Sequence, residues 1–228
     1  MAGVSFGAVT GTAHRVLIVA GGPSARPLSD YRPPPSVHVI AVNGAADWLP
    51  RFDVWVTVDP SAANRWRMRN PRPAPVRYYA CVPDDYGQPN ARCLDHRAPP
   101  ETGITWLRRL TGFGPWGARA GLSADPTGLH TGNSAYAALG VAYLLRASRI
   151  VLAGVDGSAA ARVDGGHPGD LSHLPALFAS AVGELARAGC KVVNACPAST
   201  ACCFPRWSLN RALDWLTTES EVCGCATD

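Results

Sequence analysis

One histidine, a few glycine-bearing turns and two aspartates are the residues of this chain whose types and spacing could do chemistry. Gly21-Gly22-Pro23-Ser24 is the first turn. Two adjacent glycines let backbone approach a phosphate without a Cβ in the way, and a serine there can cap a following helix whose N-terminus favours an anion. Asn43, Asp59, the Gly154–Gly157 stretch with Asp156, and Asn194 are small or polar residues of the same kind. Gly132-Asn133-Ser134 opens an apolar stretch, where a side chain can cap a helix and free N–H groups can still meet a ligand. His173 precedes another helical stretch and is the natural candidate for a general base near neutral pH, with His167 six residues earlier as a weaker one.

Several chemistries are disfavoured by the same residues. The first turn is not GxGxxG, and Asn43 rather than an acid closes the second apolar run, against a dinucleotide dehydrogenase. There is no GxxxxGK[ST] loop, no HExxH helix and no nucleophile elbow.

The elements that must position these residues read as follows. RVLIVA (15–20), VHVIAVN (37–43), DVWVTVD (53–59), VRYYACV (76–82), RIVLAGVDG (149–157) and CKVVNA (190–195) are short apolar runs of the kind that form buried parallel strands. TGNSAYAALGVAYLLR (131–146), LPALFASAVGELARAG (174–189) and RWSLNRALDWL (206–216) read as helices, the first apolar all round and the second amphipathic. The alternation predicts an α/β fold: an open, mostly parallel sheet with helices on both faces. In such sheets ligands sit beyond the carboxyl ends of the strands, where the candidate residues fall. Strand ends carry Gly, Asn and Asp merely to turn, so the joint pattern points to a site and no single residue does.

Residues 1–14 are expected to be a flexible leader, 15–200 a single nucleotide-binding domain, 83–129 a Pro/Gly-rich lid-like insertion beside the site, and 201–228 a C-terminal helix with a cysteine-containing tail. Trp48, Trp55 and Trp66 are expected in the core. An apolar share of 47% against 17% charged residues predicts a globular chain rather than a disordered one. The net charge of +4 carries no dense basic run, so duplex nucleic acid is not expected as a partner. No apolar run reaches the roughly 18–20 residues of a membrane helix, and the N-terminus lacks the form of a signal peptide, which together predict a cytoplasmic protein. Of eight cysteines, six fall in the last 39 residues, but Cys202-Cys203 and Cys223-x-Cys225 make a poor zinc knuckle, and free thiols are expected.

VAGGPSA (19–25), AVNGA (41–45), VWVTVD (54–59), GNSAYAALGVAYLLRASRIVLAGVDG (132–157) and KVVNACPAS (191–199) together resemble a diffuse Rossmann-like superfamily. Its members include bacterial lipooligosaccharide sialyltransferases, motility-accessory-factor glycosyltransferases and 6-hydroxymethylpterin diphosphokinase-like proteins. The resemblance implies that Gly21, Gly22, Pro23, Ser24 and Asn43 hold a nucleotide, with Asp59, Asn133, Ser134, Gly154 and Asp156 around it, and that His173 is the base acting on an acceptor hydroxyl. It departs from the sialyltransferase pattern at Gly21, at Ala135, and in having no tyrosine after Asp156, which counts against sialic acid as the transferred sugar. The function it implies first is a metal-independent, nucleotide-sugar-dependent glycosyltransferase without a cofactor. Two alternatives stand beside it: a Mg²⁺-dependent diphosphokinase, with Asp59, Asp156 and Asp164 as possible metal ligands, and a non-catalytic nucleotide-binding or assembly protein.

Overall fold

Every apolar run named above becomes a strand in the computed structural model, which describes residues 6–59, 61–73, 75–83 and 103–218. The strands are β1 (Arg15–Val19), β2 (His38–Val42), β3 (Val54–Thr57), β4 (Arg77–Pro83), β5 (Ile104–Leu110), β6 (Gly128–His130), β7 (Arg149–Ala153) and β8 (Lys191–Asn194). They form one eight-stranded sheet in the order β6-β5-β4-β3-β2-β1-β7-β8, with every pairing parallel. The helices are α1 (Ala45–Trp48), α2 (Ala62–Arg69), α3 (Ser134–Leu144), α4 (Leu174–Ala179), α5 (Val182–Arg187) and α6 (Leu209–Thr217), with a 3₁₀ helix at Pro23–Ser29.

The two-residue period of the strands divides the core. Val16, Ile18, Ile40, Val42, Val54, Val56, Ile150 and Leu152 face one cluster, which α3, α4 and α5 complete. Leu17, Val19, Val39, Ala41, Trp55, Val151 and Ala153 face the other, closed by α1, α6 and the 3₁₀ helix. A sheet covered on both faces needs strands without a polar side, and the Val/Ile/Leu/Ala composition of β1, β2 and β7 supplies them. α3 lies across β1, β2, β3 and β6, buried over Ser134–Ala142, which explains its lack of a polar face.

The chain runs outward from β1 through β6, then returns by α3 to place β7 on the other side of β1. Neighbouring connections therefore diverge between β1 and β7, and a crevice opens at their carboxyl ends.

Four expectations change. The insertion over 83–129 is not all loop: within its described part, β5 and β6 extend the sheet beyond β4. In β5 only Leu107 is fully buried, so Ile104–Leu110 lacks the apolar run of a central strand. Residues 6–14 are packed rather than loose. Gly7, Val9 and Ala13 donate backbone N–H groups to Trp106 O (3.0 Å), Pro126 O (2.8 Å) and Leu145 O (2.9 Å), and Val9 and Ala13 are buried. The helix expected over 174–189 is two short ones, broken where Ser180 Oγ turns back to Leu177 O at 2.6 Å and accepts Gly121 N–H at 2.8 Å. Of the three tryptophans assigned to the core, Trp55 is fully buried and Trp48 packs at the core's margin, but Trp66 is exposed. Cys81, Cys190, Cys196, Cys202 and Cys203 are free thiols, while Cys93, Cys223 and Cys225 lie outside the described residues. Burial pushes the Cys81 and Cys190 thiols up to about 12, so both stay protonated.

His38, at the start of β2, carries a pH dependence into this fold. Its Nε2 is buried without a partner, and its Nδ1 lies 3.8 Å from Asp53 Oδ2. Burial holds its pKa below the ordinary 6.5, outweighing the opposing pull of Asp53. A depressed pKa favours the neutral ring in the folded state, so this contribution to stability is present above about 6.5 and is lost as pH falls through the folded value. His38→Phe is expected to flatten the fall of the urea midpoint between about pH 7 and pH 5. An unchanged slope in the variant would discard His38 as the cause.

Candidate functional site

A cavity of about 640 Å³ opens where the crevice was expected. It is lined by Gly21, Gly22 and Pro23 after β1, Asn43 and Gly44 after β2, Asp59 after β3, Gly132–Ala135 at the start of α3, Gly154–Gly157 after β7, and His173. Turns far apart in the chain thus share one rim of the sheet. The volume falls in the range of small-molecule sites. Of the residues singled out from the sequence, Ser24, Asn194 and His167 do not line it; Asn194 is fully buried and bonded to Ser199 Oγ and Val155 O.

Ser24 is turned to Asp156 instead. Its backbone N–H donates to Asp156 Oδ2 at 2.9 Å, and its hydroxyl bonds Asp156 Oδ1. Gly22 N–H donates to Gly154 O at 2.9 Å. A Cβ on Gly22 would lie 2.5 Å from Gly154 O and 2.7 Å from Asp156 Cγ, so this glycine admits the β7 turn. The expectation that Ser24 would cap a helix holding a ligand anion is therefore corrected. The helix is a 3₁₀ turn whose N-cap is Gly22, and the anion at its start is the protein's own Asp156 carboxylate. Cys196, buried beside the pair, has its thiol pKa raised by burial and then by Asp156.

Asn43 adopts a left-handed backbone, φ +49°, a conformation asparagine tolerates. Its Oδ1 accepts from Thr57 Oγ1 at 2.7 Å and from Asn64 Nδ2 at 3.2 Å. Its Nδ2 donates to no described residue, which leaves an amide donor at the cavity wall. Asp59 Oδ1 accepts Ser61 N–H at 3.0 Å. Asn133 caps α3, with Oδ1 accepting from Ala135 N–H at 2.8 Å and Tyr136 N–H at 3.3 Å, and Ser134 Oγ accepts from Val58 N–H at 3.4 Å. These two residues hold β3 and α3 in place as well as lining the cavity.

His173 donates through Nε2 to Gly132 O at 3.0 Å. That bond places the proton on Nε2 and leaves Nδ1 as the basic nitrogen, buried and without a partner among the described residues. Gly132 has φ +121°, and a Cβ on it would sit 2.5 Å from Ala118 Cα, so the histidine's acceptor belongs to a turn that only glycine fits. His167 is exposed and does not line the cavity, while His130 Nδ1 is engaged with the Ala120 and Gly121 carbonyls.

Sequence reasoning missed Arg65, Arg109, Trp116 and Arg162, which also line the cavity. Arg109 leaves β5 and donates from Nε to Thr131 Oγ1 at 3.1 Å and from Nη2 to Trp116 O at 2.7 Å. Trp116 is 53% exposed, with a left-handed φ of +57°. The signal for it was the Gly-Pro-Trp-Gly cluster at 114–117, hidden inside what looked like loop. The acids at the rim are Asp59, Asp156, Asp164 and Asp170. No group of three potential metal ligands occurs among the described residues.

Fold and site together define a parallel α/β protein with a small-molecule-sized cavity at its topological switch point. Compared with protein-family models, curated proteins and solved structures, the chain finds no match in any of the three. No helix among the described residues is long and apolar enough to cross a membrane.

Proposed function

We propose that the cavity binds a nucleotide-type ligand and that the protein is a nucleotide-sugar-dependent glycosyltransferase acting by direct displacement, with His173 as general base. The observation that carries this reading is the convergence of the Gly21, Asn43, Gly132 and Gly154 turns on one cavity that also contains His173. In the step envisaged, an acceptor hydroxyl oxygen attacks the anomeric carbon. The bond from that carbon to the donor phosphate breaks, the nucleotide leaves with the electron pair, and His173 Nδ1 takes the hydroxyl proton. The unpartnered amide of Asn43 is available to a nucleobase or ribose oxygen.

The diphosphokinase reading has less behind it. Both carboxylate oxygens of Asp156 are bonded by Ser24, so of the two leading metal-ligand candidates only Asp59 retains an unbonded carboxylate oxygen. A cytoplasmic setting is consistent with the five described free thiols, since disulfides are rare there.

The test is a thermal-shift series with CMP, CDP, UDP, GDP and ATP, each with Mg²⁺ and with a chelator. A ligand at a hundredfold excess over its Kd stabilises by about 2.7 kcal/mol. For a chain of this size that is a rise in Tm of roughly 5–10 °C. At least one nucleotide is expected to reach it without Mg²⁺. No shift from any of the five at millimolar concentration would end the nucleotide reading, and a strict Mg²⁺ requirement would favour the kinase. Binding with no transfer from any sugar donor would favour a non-catalytic protein.

A further inference from the structure

Gly21 needs a different explanation from Gly22, and it lies in the loop after β7. Val163 N–H donates to Gly21 O at 2.8 Å, pinning the loop over the first glycine turn. The loop closes on itself there, through Arg162 N–H to Gly166 O at 2.7 Å and Gly165 N–H to Arg162 O at 3.0 Å. A Cβ on Gly21 would meet Arg162 Cδ at 3.2 Å. The Arg162 stem thus runs against the Gly21 turn, near the closest spacing a Cβ there would allow, and both residues line the cavity.

Arg162 as a residue is part-buried, and its guanidinium makes no hydrogen bond or ion pair with any described residue. The nearest carboxylate in its own loop, Asp164, instead accepts Gly166 N–H through Oδ1 at 3.0 Å. By contrast, Arg109 at the same cavity has Nε and Nη2 committed to Thr131 and Trp116. Asp156 already fills the start of the 3₁₀ helix, so that helix has no place left for a ligand anion. A cation withdrawn part-way from water, held over a turn and unpartnered, is suited to an anion brought by the ligand. Its forked donors match a phosphoryl group.

We propose that Arg162 holds the phosphoryl oxygens of the bound ligand over the Gly21 turn, a role that rests on the nucleotide reading above. Inorganic pyrophosphate is the probe that separates the two. Titration calorimetry on the full chain is expected to show pyrophosphate binding that Arg162→Gln weakens by about tenfold to a hundredfold, the range of a charge-assisted hydrogen bond. Arg162→Lys should fall between, keeping the charge without the fork. Without ligand, all three proteins should melt together, because the guanidinium bonds no described residue. Equal pyrophosphate affinity in wild type and Arg162→Gln would overturn the assignment, as would no binding by wild type. Pyrophosphate held through Arg162, with none of the five nucleotides bound, would sink the nucleotide reading and leave the anion site standing. Nucleotide binding indifferent to Arg162→Gln would do the reverse.

Discussion

Gly154→Ala is expected to destabilise the protein by about 2–5 kcal/mol, the sum of a left-handed alanine at ~1–2 kcal/mol and local overpacking at ~1–3 kcal/mol. Gly154 has φ +71°, and its Cβ would stand 2.3 Å from Ala20 O and 3.0 Å from Ala25 Cβ. Little there can yield. Ala20 N–H is bonded to Ala153 O at 2.8 Å, and Gly22 N–H to Gly154 O at 2.9 Å, so the ends of β1 and β7 are laced together. Gly165→Ala is the control. Its φ is +80°, but nothing lies within 4 Å of its Cβ position, so only the backbone penalty applies. Urea midpoints of the two variants measure the difference. If Gly154→Ala is no less stable than Gly165→Ala, the crevice is looser than these distances say. The same substitution should weaken ligand binding, because Gly22 and Asp156 are carried on the strand ends it forces apart.

The central sheet was legible because strands buried on both faces have no choice of composition. β1, β2, β3, β7 and β8 appear as β-branched runs, each ended by a turn former, and their carboxyl ends predicted the rim on which the cavity lies. The outer sheet was not legible for the complementary reason. β5 carries Arg108 and Arg109 and buries only Leu107 fully, and β6 is three residues long, so neither has a period to find. Both exist through backbone pairing to a neighbour already in place. The break at Ser180 was hidden in the same way, since apolar spacing runs through it and only the Gly121 contact shows why the helix ends.

At the site, residue type predicted position better than role. Gly21 and Gly22 do line the cavity, yet Gly22 is explained by protein groups that a Cβ would strike, Gly154 O and the Asp156 carboxyl, and Gly21 is closely covered by the Arg162 stem. Read from sequence, adjacent glycines after a strand suggest a phosphate cradle, because nothing in the local string reveals that a carboxylate 132 positions away from Ser24 arrives first. Arg162 escaped notice because an irregular stretch has no periodicity from which to infer where its side chain points. Asn133 and His173 were easier. A helix cap and a residue just ahead of a helix have positions set by the helix itself.

If the protein transfers a glycosyl group as proposed, His173→Ala is expected to lower the turnover by about 10²–10⁴-fold, the range of general-base assistance. The geometry also defines a sharper variant. Nε2–H is spent on Gly132 O at 3.0 Å, and Nδ1 is the nitrogen left to receive a proton. Glutamine extends an N–H donor to about the reach of Nε2 but has no basic nitrogen. His173→Gln should therefore keep the Gly132 contact, the unliganded Tm and the nucleotide affinity, while losing the rate as fully as alanine. Should glutamine restore most of the turnover, His173 serves to hold the Gly132 turn against α3 and another group removes the proton. Nδ1 is out of contact with solvent in the unliganded protein, so the same assignment requires acceptor binding to open a path to it, and hydrolysis of the donor is expected to be slow when no acceptor is present. Rapid hydrolysis that survives His173→Gln would place the reacting water, and the base that activates it, elsewhere in the cavity.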